Sequence, residues 1–226
     1  IVFGSPYHPA IPAEIEEFVD SGRKVIGILD WRLNVLEGRI SKILVDHESG
    51  GGEIAGHLFS RGHRKVLLLG TQTMLQDLKP ETPPWMRTQG FGFVREWERL
   101  GGAWTAMESL LPPGSGPFPI PDLDVEKLRA EFAVDPPPTA VFGLRDVETW
   151  ICQNYILEKM PELLRKIEFF GYGDTPWSLA GHPPFSTMDW NLDAVADSIC
   201  RLLEPPAISS ASDVTVKHIK PRLLIR

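Results

Sequence analysis

The chain has 226 residues, 42% of them apolar and 23% charged, which predicts one large globular domain or two small lobes. Its 20 glycines and 21 prolines imply many loops but exclude a collagen-like or disordered tract. Lysine and arginine total 23 against 30 acidic residues, a net charge of −7, so this chain alone has no positive surplus with which to hold a nucleic-acid backbone.

The first third alternates β-rich runs with helical patterns. Residues 1–4 are a strand candidate, followed by the loop SPYHPAIP. In 12–21 the spacing of Ile15, Phe18 and Val19 predicts an amphipathic helix, with Pro12 at its start and Gly22 past its end. KVIGILD (24–30) and KILVDH (42–47) are apolar almost throughout, as suits parallel strands covered on both faces. The segment 47–62 is expected to be a Gly-rich turn leading into a helix, with Ile54, Ala55, Leu58 and Phe59 inward. Strand KVLLLG (65–70) follows within a few residues, and this βαβ rhythm predicts an open parallel sheet.

Residues 71–86 interrupt the rhythm with a long proline-containing loop that packs or binds. Helices are then expected at 87–100, 124–132, 146–160 and 191–204, and strands at 103–110, 135–143, 166–173 and 183–190. The tail 214–226 alternates like an edge hairpin or two short strands around Pro221. Cys152 and Cys200 are too few for a disulfide scaffold, lack metal-ligand spacing and fall in predicted helices, where buried thiols are expected. Apolar stretches are only strand length, so no transmembrane span is expected, and no signal peptide is visible.

Six segments, in order, carry a resemblance. VDHESGGGEIAGHLFSRGHRKVLLLG (45–70) resembles the Gly-rich helix and Gly-His signature of the lactose and purine repressor (LacI) family of transcription regulators. RTQGFGFVREWERLGG (87–102) resembles that family's Arg-x-x-Gly-Phe helix, and PTAVFGLRDVETW (138–150) its Pro-Thr-Ala strand and Asn-Asp helix start. EFFGYGDTPWS (168–178) is similar to its Asp-Asp turn, PPFSTMDW (183–190) to its crossing strand, and KPRLLIR to its terminal strand. The resemblance implies an α/β, periplasmic-binding-protein-like clamshell of two lobes, each a mostly parallel sheet flanked by helices, with three crossings between them. The lobes would be 1–71 plus 190–205, incomplete, and 72–189 plus 206–226. It also implies a helix-turn-helix headpiece and a first strand–helix–strand ahead of residue 1, so the natural chain is expected to extend toward the N-terminus.

A ligand is expected in the cleft between lobes, at the carboxyl ends of the strands. A sugar offers apolar C–H faces and hydroxyls, and so calls for aromatic platforms with carboxylates and an arginine fork. The residues that supply these after each strand, or by the resemblance, are Arg87, Trp31, Arg145, Asp174, Trp190, Tyr7, Asp146 and Trp85. The resemblance implies an effector contact for Arg87, whose structural alternative is a helix-start arginine bonded to a loop carbonyl. Trp31 has core packing as its alternative, and Asp146 is read mainly as a cap of its helix, with Arg145 the expected ligand contact. The chain departs from the family pattern at His47, Arg145, Gly173 and Trp190, which stand where Asn, Asn, Asp and often Gln are usual. More aromatic surface and an added positive charge leave open a neutral sugar, an acidic sugar, a larger glycoside or a purine-like ring.

No Gly-x-Ser-x-Gly elbow, P-loop, dinucleotide fingerprint or zinc spacing is present, so no enzyme activity, cofactor or metal is expected. The resemblance implies a cytoplasmic homodimer that senses a sugar-like effector and meets operator DNA only through a headpiece absent from this chain. A periplasmic sugar-binding protein of a transport system is the alternative, and a dimer scaffold with a filled cleft a third reading.

Overall fold

The apolar runs are collected into two separate sheets, each in its own unit. The computed structural model describes residues 2–3, 13–28, 38–78, 88–111, 120–204 and 214–226. The first unit comprises residues 1–46 and 191–221, the second 47–190 and 222–226, so the chain passes between them three times.

In the first unit β1 (Val2–Phe3), β2 (Ile26–Ile28), β3 (Ser41–Val45) and β9 (Val216–Ile219) form a four-stranded sheet in the order β1-β2-β3-β9, parallel throughout. The unit also contains α1 (Ala13–Asp20) and α8 (Leu192–Leu203). Val25, Ile26, Ile40, Ile43, Val45, Val195 and Ile219 are buried, whereas Leu192 at the start of α8 is exposed. Asn191 precedes α8 with φ +60°, a conformation asparagine tolerates, and its side-chain N–H donates to Lys220 O at 3.1 Å. Lys24 Nζ donates to Leu202 O at the far end of the same helix.

The second unit holds β4 (Lys65–Gly70), β5 (Ala103–Glu108), β6 (Ala140–Gly143), β7 (Glu168–Tyr172), β8 (Ser186–Asp189) and β10 (Arg222–Leu224). Their order is β10-β8-β7-β6-β4-β5, parallel except for β10, which runs antiparallel to β8. Its helices are α2 (His47–Ser60), α3 (Gln72–Gln76), α4 (Gln89–Arg99), α5 (Val125–Phe132), α6 (Asp146–Lys159) and α7 (Pro176–Ala180). Because strand side chains alternate, β4 feeds two cores at once. Val66 and Leu68, with Phe142 and Phe170, pack against Ile54, Leu58, Phe93 and Trp97 of α2 and α4. Leu67 and Leu69, with Val141 and Phe169, pack against Leu128, Ile151, Cys152 and Ile156 of α5 and α6. A strand covered on both faces has no polar side to show, which is why KVLLLG is apolar throughout.

The unit boundary falls at residue 46 rather than at 71, and the tail through Pro221 belongs with the first unit rather than the second. The sequence rhythm runs unbroken through 24–70, yet β4 lies between β5 and β6, in a different sheet from β3. The tail is two strands and not a hairpin: β9 extends the first sheet beside β3, and β10 caps the second beside β8. Part of the expected 71–86 loop is helical, as α3. Of the two cysteines, Cys152 is buried and Cys200 exposed, so only the first fits the expectation of a buried thiol.

The glycine run 50–52 lies inside α2, not in a turn before it. Close packing is the reason. A Cβ on Gly51 would stand 1.8 Å from Gln89 O, and one on Gly92 would stand 1.9 Å from Glu48 O. Glycines on α2 and α4 thus let the two backbones touch, at the cost in helix propensity that glycine carries. Gly56, on the same helix, has no neighbour within 4 Å of a Cβ. Gly92→Ala is expected to destabilise the protein by about 3 kcal/mol through overpacking. Gly56→Ala is expected to stabilise it by about 0.5–1 kcal/mol through backbone entropy alone. Urea denaturation of the two variants checks both signs.

Candidate functional site

Open parallel sheets present ligands with the carboxyl ends of their strands. In the second unit three groups of side chains stand at that end.

The first group is built on the β6–α6 turn. Arg145 takes the N-cap position of α6 with extended backbone, φ −139°, and its guanidinium folds onto Glu148 one turn ahead. Nε lies 2.9 and 3.1 Å from the two carboxylate oxygens, and Nη2 bonds to the nearer one as well. The Glu148 side chain is 0% exposed and that of Arg145 32%. Ser109, after β5, donates to the same carboxylate at 3.3 Å. Burial pushes the Glu148 carboxyl above its usual range, and Arg145 only partly opposes this. Gln89 Nε2 donates to Leu144 O at 2.7 Å and fixes the turn from below.

The second group centres on Asp146, which is fully buried. Its Oδ2 accepts from Thr175 N at 2.6 Å and Thr175 Oγ1 at 2.9 Å, and its Oδ1 accepts from Thr187 Oγ1 at 2.5 Å. Burial raises this carboxyl too, against those hydrogen bonds, and the Asp174 charge adds to the rise. The intervening loop bends through two left-handed residues, Gly173 (φ +128°) and Asp174 (φ +50°). Glycine suits the first, because a side chain there would be strained.

The third group is aromatic. His47 opens α2, Tyr172 ends β7 and Trp190 follows β8. His47 Nδ1 and Tyr172 OH are 2.9 Å apart, and the His47 ring meets Trp190 edge-on with centroids at 5.3 Å. The Trp190 Nε1–H is buried with no hydrogen-bond partner among the described residues. Its nitrogen lies beside the loop glycine: a Cβ on Gly173 would stand 4.0 Å from it and 3.7 Å from Asp146 Oδ2. A buried indole N–H without an acceptor costs free energy that a ligand oxygen would recover.

Of the residues singled out from sequence, Arg145, Asp146, Asp174 and Trp190 stand together at this end of the sheet, while Tyr7, Trp31, Trp85 and Arg87 lie outside the described residues. Asp146 does not cap its helix. Arg145 occupies that position, and the Asp146 carboxylate turns instead to Thr175 and Thr187. Asp174 is ion-paired with Arg226 at 2.6 Å. Sequence reasoning missed Glu148, Ser109, Tyr172 and the role of His47. An acid three residues after an arginine at a helix start is a visible pairing signal for Glu148. Nothing local marks Ser109.

His57 and His63 belong to the opposite, amino end of the sheet. Both face Glu168, His63 Nε2 at 2.9 Å and His57 Nε2 at 3.8 Å, and Arg61 Nε joins at 2.8 Å. No group of three or more His, Cys, Asp or Glu is placed to hold a metal among the described residues. No described helix is long and apolar enough to cross a membrane.

Two α/β units, with mostly parallel sheets flanked by helices and three chain passages, define the periplasmic-binding-protein-like class. The chain has the fold found in effector-binding domains of LacI-family transcriptional regulators. It is similar to a ribose-bound LacI-family regulator from Enterococcus faecalis V583, at a TM-score of 0.68 and 17% identity, over 99% of this chain and 75% of that one. It is similar to a periplasmic binding protein/LacI transcriptional regulator from Alkaliphilus metalliredigens QYMF in complex with D-xylulofuranose, at 0.60 and 15%, over 92% and 71% of the two chains. The cellobiose complex of the transcriptional regulator CelR matches at 0.62 and 14%, over 100% of this chain and 64% of that one. At such identities the likeness defines the fold. No protein-family model and no curated protein matches the sequence.

The three buried or half-buried carboxyls give opposite pH signatures. Asp146 and Glu148 are raised, so their contributions to stability are fully present below the ordinary carboxylate range and are lost as pH rises through the raised values. For Glu168, burial pushes upward but the hydrogen bonds from His63 and Arg61 outweigh it, and the net shift is downward. Its contribution is present above the ordinary glutamate value and lost as pH falls through the lowered one. In urea titrations across the acid range, the stability of wild type relative to Asp146→Asn is expected to fall as pH rises. Relative to Glu168→Gln it is expected to rise.

Proposed function

We propose that this chain is the ligand-sensing and dimerisation part of a DNA-binding transcription regulator of the LacI family, and that its effector is a sugar or related small polar molecule. The observation that carries this reading is the constellation at the carboxyl end of the second sheet. There Tyr172, His47 and Trp190 supply aromatic surface, while Arg145 and the unpartnered Trp190 Nε1–H supply donors. These are the groups that the C–H faces and hydroxyls of a sugar require. The fold relatives support the same class, since they were solved with ribose, D-xylulofuranose and cellobiose. Tyr7, Trp31, Trp85 and Arg87 complete the proposed ligand set, and Asp146 and Asp174 shape the loop beside it.

In this reading the protein is a cytoplasmic homodimer with no catalytic role, and operator DNA is met by a headpiece outside this sequence. Ligand binding biases one of two arrangements of the dimer, and DNA affinity changes by the same coupling factor. A periplasmic sugar-binding protein is the second reading, favoured by the description of the Alkaliphilus protein under both names.

Native mass spectrometry and titration calorimetry of the full-length protein with pentoses, hexoses, disaccharides and purines test the proposal. One sugar per subunit of a dimer is the expected result. Trp190→Ala is expected to weaken that binding about 10-fold, the worth of one aromatic contact. A well-folded protein that takes none of the sugars would overturn the reading. A sugar-binding monomer whose operator affinity does not respond to the sugar would favour the transport alternative.

A further inference from the structure

A cavity with unmatched positive charge lies away from the proposed sugar site, at the amino ends of β7 and β8. It measures about 430 Å³, a size that suits a small molecule, and Arg61, Arg165, Lys166 and Arg226 all line it. Glu168 is the only acidic side chain among the described residues of its wall. Four cations around one concavity focus a positive potential there, in a chain whose net charge is −7.

The four differ in what they have left to offer. Arg226 is already engaged: its guanidinium bonds to Asp174 Oδ1 at 2.6 Å, Ser178 Oγ at 3.1 Å and Phe185 O at 3.3 Å. Arg61 is anchored by one edge only. Its Nε lies 2.8 Å from Glu168 Oε2, while its Nη1 and Nη2 have no hydrogen bond among the described residues. Arg165 and Lys166, on the turn into β7, are exposed, and their charged ends have neither hydrogen bond nor ion pair among the described residues. Ser186 adds a hydroxyl to the wall. It is 4% exposed and accepts from Arg226 N at 3.0 Å, and its own O–H is unclaimed among the described residues.

Arg61 thus offers a positioned guanidinium with its outer N–H groups open, on a wall shared with two unmatched cations. A carboxylate has two oxygens, and a single arginine fork satisfies it. A phosphate monoester carries a charge of about −1.5 to −2 near neutral pH and has three strong acceptor oxygens, so it can engage three cationic side chains at once. Much of the remaining wall is apolar, with Leu164, Ile167, Phe169, Pro183 and Phe185. That surface suits an organic body attached to the phosphate and gives a bare phosphate nothing.

We propose that this cavity is a second ligand site, for a small organic phosphate monoester. Arg61, Arg165 and Lys166 hold the phosphate, and the apolar wall takes the organic part. Glu168 positions Arg61 without touching the ligand. No residue is shared with the proposed sugar site, so the two readings stand or fall separately.

The test is titration calorimetry of the full-length protein with phenyl phosphate as the probe, beside inorganic phosphate and phenol. Phenyl phosphate is expected to bind once per subunit, at least about 10-fold more tightly than inorganic phosphate, with phenol not measurably bound. Its affinity is expected to fall as NaCl rises from about 50 to about 500 mM. Arg165→Gln/Lys166→Gln removes two exposed, unpaired charges, so the fold is kept, and phenyl phosphate binding is expected to weaken at least about 10-fold. Lys127→Gln/Arg129→Gln removes the same charge from α5, outside this cavity, and is expected to change binding about twofold at most. A wild-type protein that binds no phenyl phosphate overturns the proposal. So does binding that Arg165→Gln/Lys166→Gln leaves intact, or that both double variants weaken equally. Inorganic phosphate bound as tightly as phenyl phosphate overturns the assignment of an organic ligand. Each of these results leaves the sugar-sensing reading untouched.

Discussion

Asp146 accepts hydrogen bonds from Thr175 N, Thr175 Oγ1 and Thr187 Oγ1, and through them one buried carboxylate joins the start of α6 to the loop after β7 and to β8. The rest of this end of the sheet is arranged around that join. Gly171 has no room for a side chain, because a Cβ there would lie 2.2 Å from Asp146 Oδ1. The left-handed pair Gly173–Asp174 is the turn that brings Thr175 back within reach, and Gly173 N returns to Met188 O at 2.8 Å to tie the same loop to β8. Trp190 follows directly. The carboxylate has no counter-ion among the described residues, so its three donors carry the burden of its burial, and burial nonetheless raises its proton affinity against them.

The two ends of the second sheet handle charge differently. At the amino end Glu168 gathers Arg61 and His63, with His57 close by, and ends with a lowered proton affinity. That cluster binds the α2–β4 turn to the start of β7 and to Thr139, which shares a 2.9 Å contact with His63 Nδ1. At the carboxyl end two acids are buried with raised affinities, one of them paired with an arginine. The amino end forms a brace around Glu168, although His57 Nε2 is buried there without a hydrogen bond; at the carboxyl end the buried group without one is the Trp190 Nε1–H. Buried polar groups of this kind are where a partner would be accommodated.

Local pattern sufficed for much of the fold. Strands such as KVLLLG and AVFG are recognisable because burial on both faces leaves no polar positions, and α4 because Phe91, Val94 and Trp97 fall on one stripe that is indeed buried. The boundary between the units was not legible, since whether a strand joins one sheet or the next is decided by partners distant in sequence. The glycine run 50–52 was misleading for a similar reason. Glycine signals a turn on local grounds, and only the approach of Gln89 O and Phe93 N, some forty residues on, reveals that it marks a helix crossing. At the site, Arg145, Asp146, Asp174 and Trp190 could be placed because they end strands. Their chemistry could not be read in full: Glu148 lies one turn along the same helix, but Ser109, Thr187 and Arg226, which claim or buttress them, come from other elements.

The division of the tail has a consequence for the order in which the protein can be completed during synthesis. The first sheet draws three strands from residues 2–45 and its fourth from 216–219, whereas five of the six strands of the second sheet lie between 65 and 189. A chain emerging from the ribosome therefore offers the later unit nearly all of its sheet before the earlier one can add its last strand. The usual expectation that domains fold from the N-terminus onward is inverted here. Until Val216–Ile219 arrive, β3 waits with an open edge, although the strands on its other side are made long before.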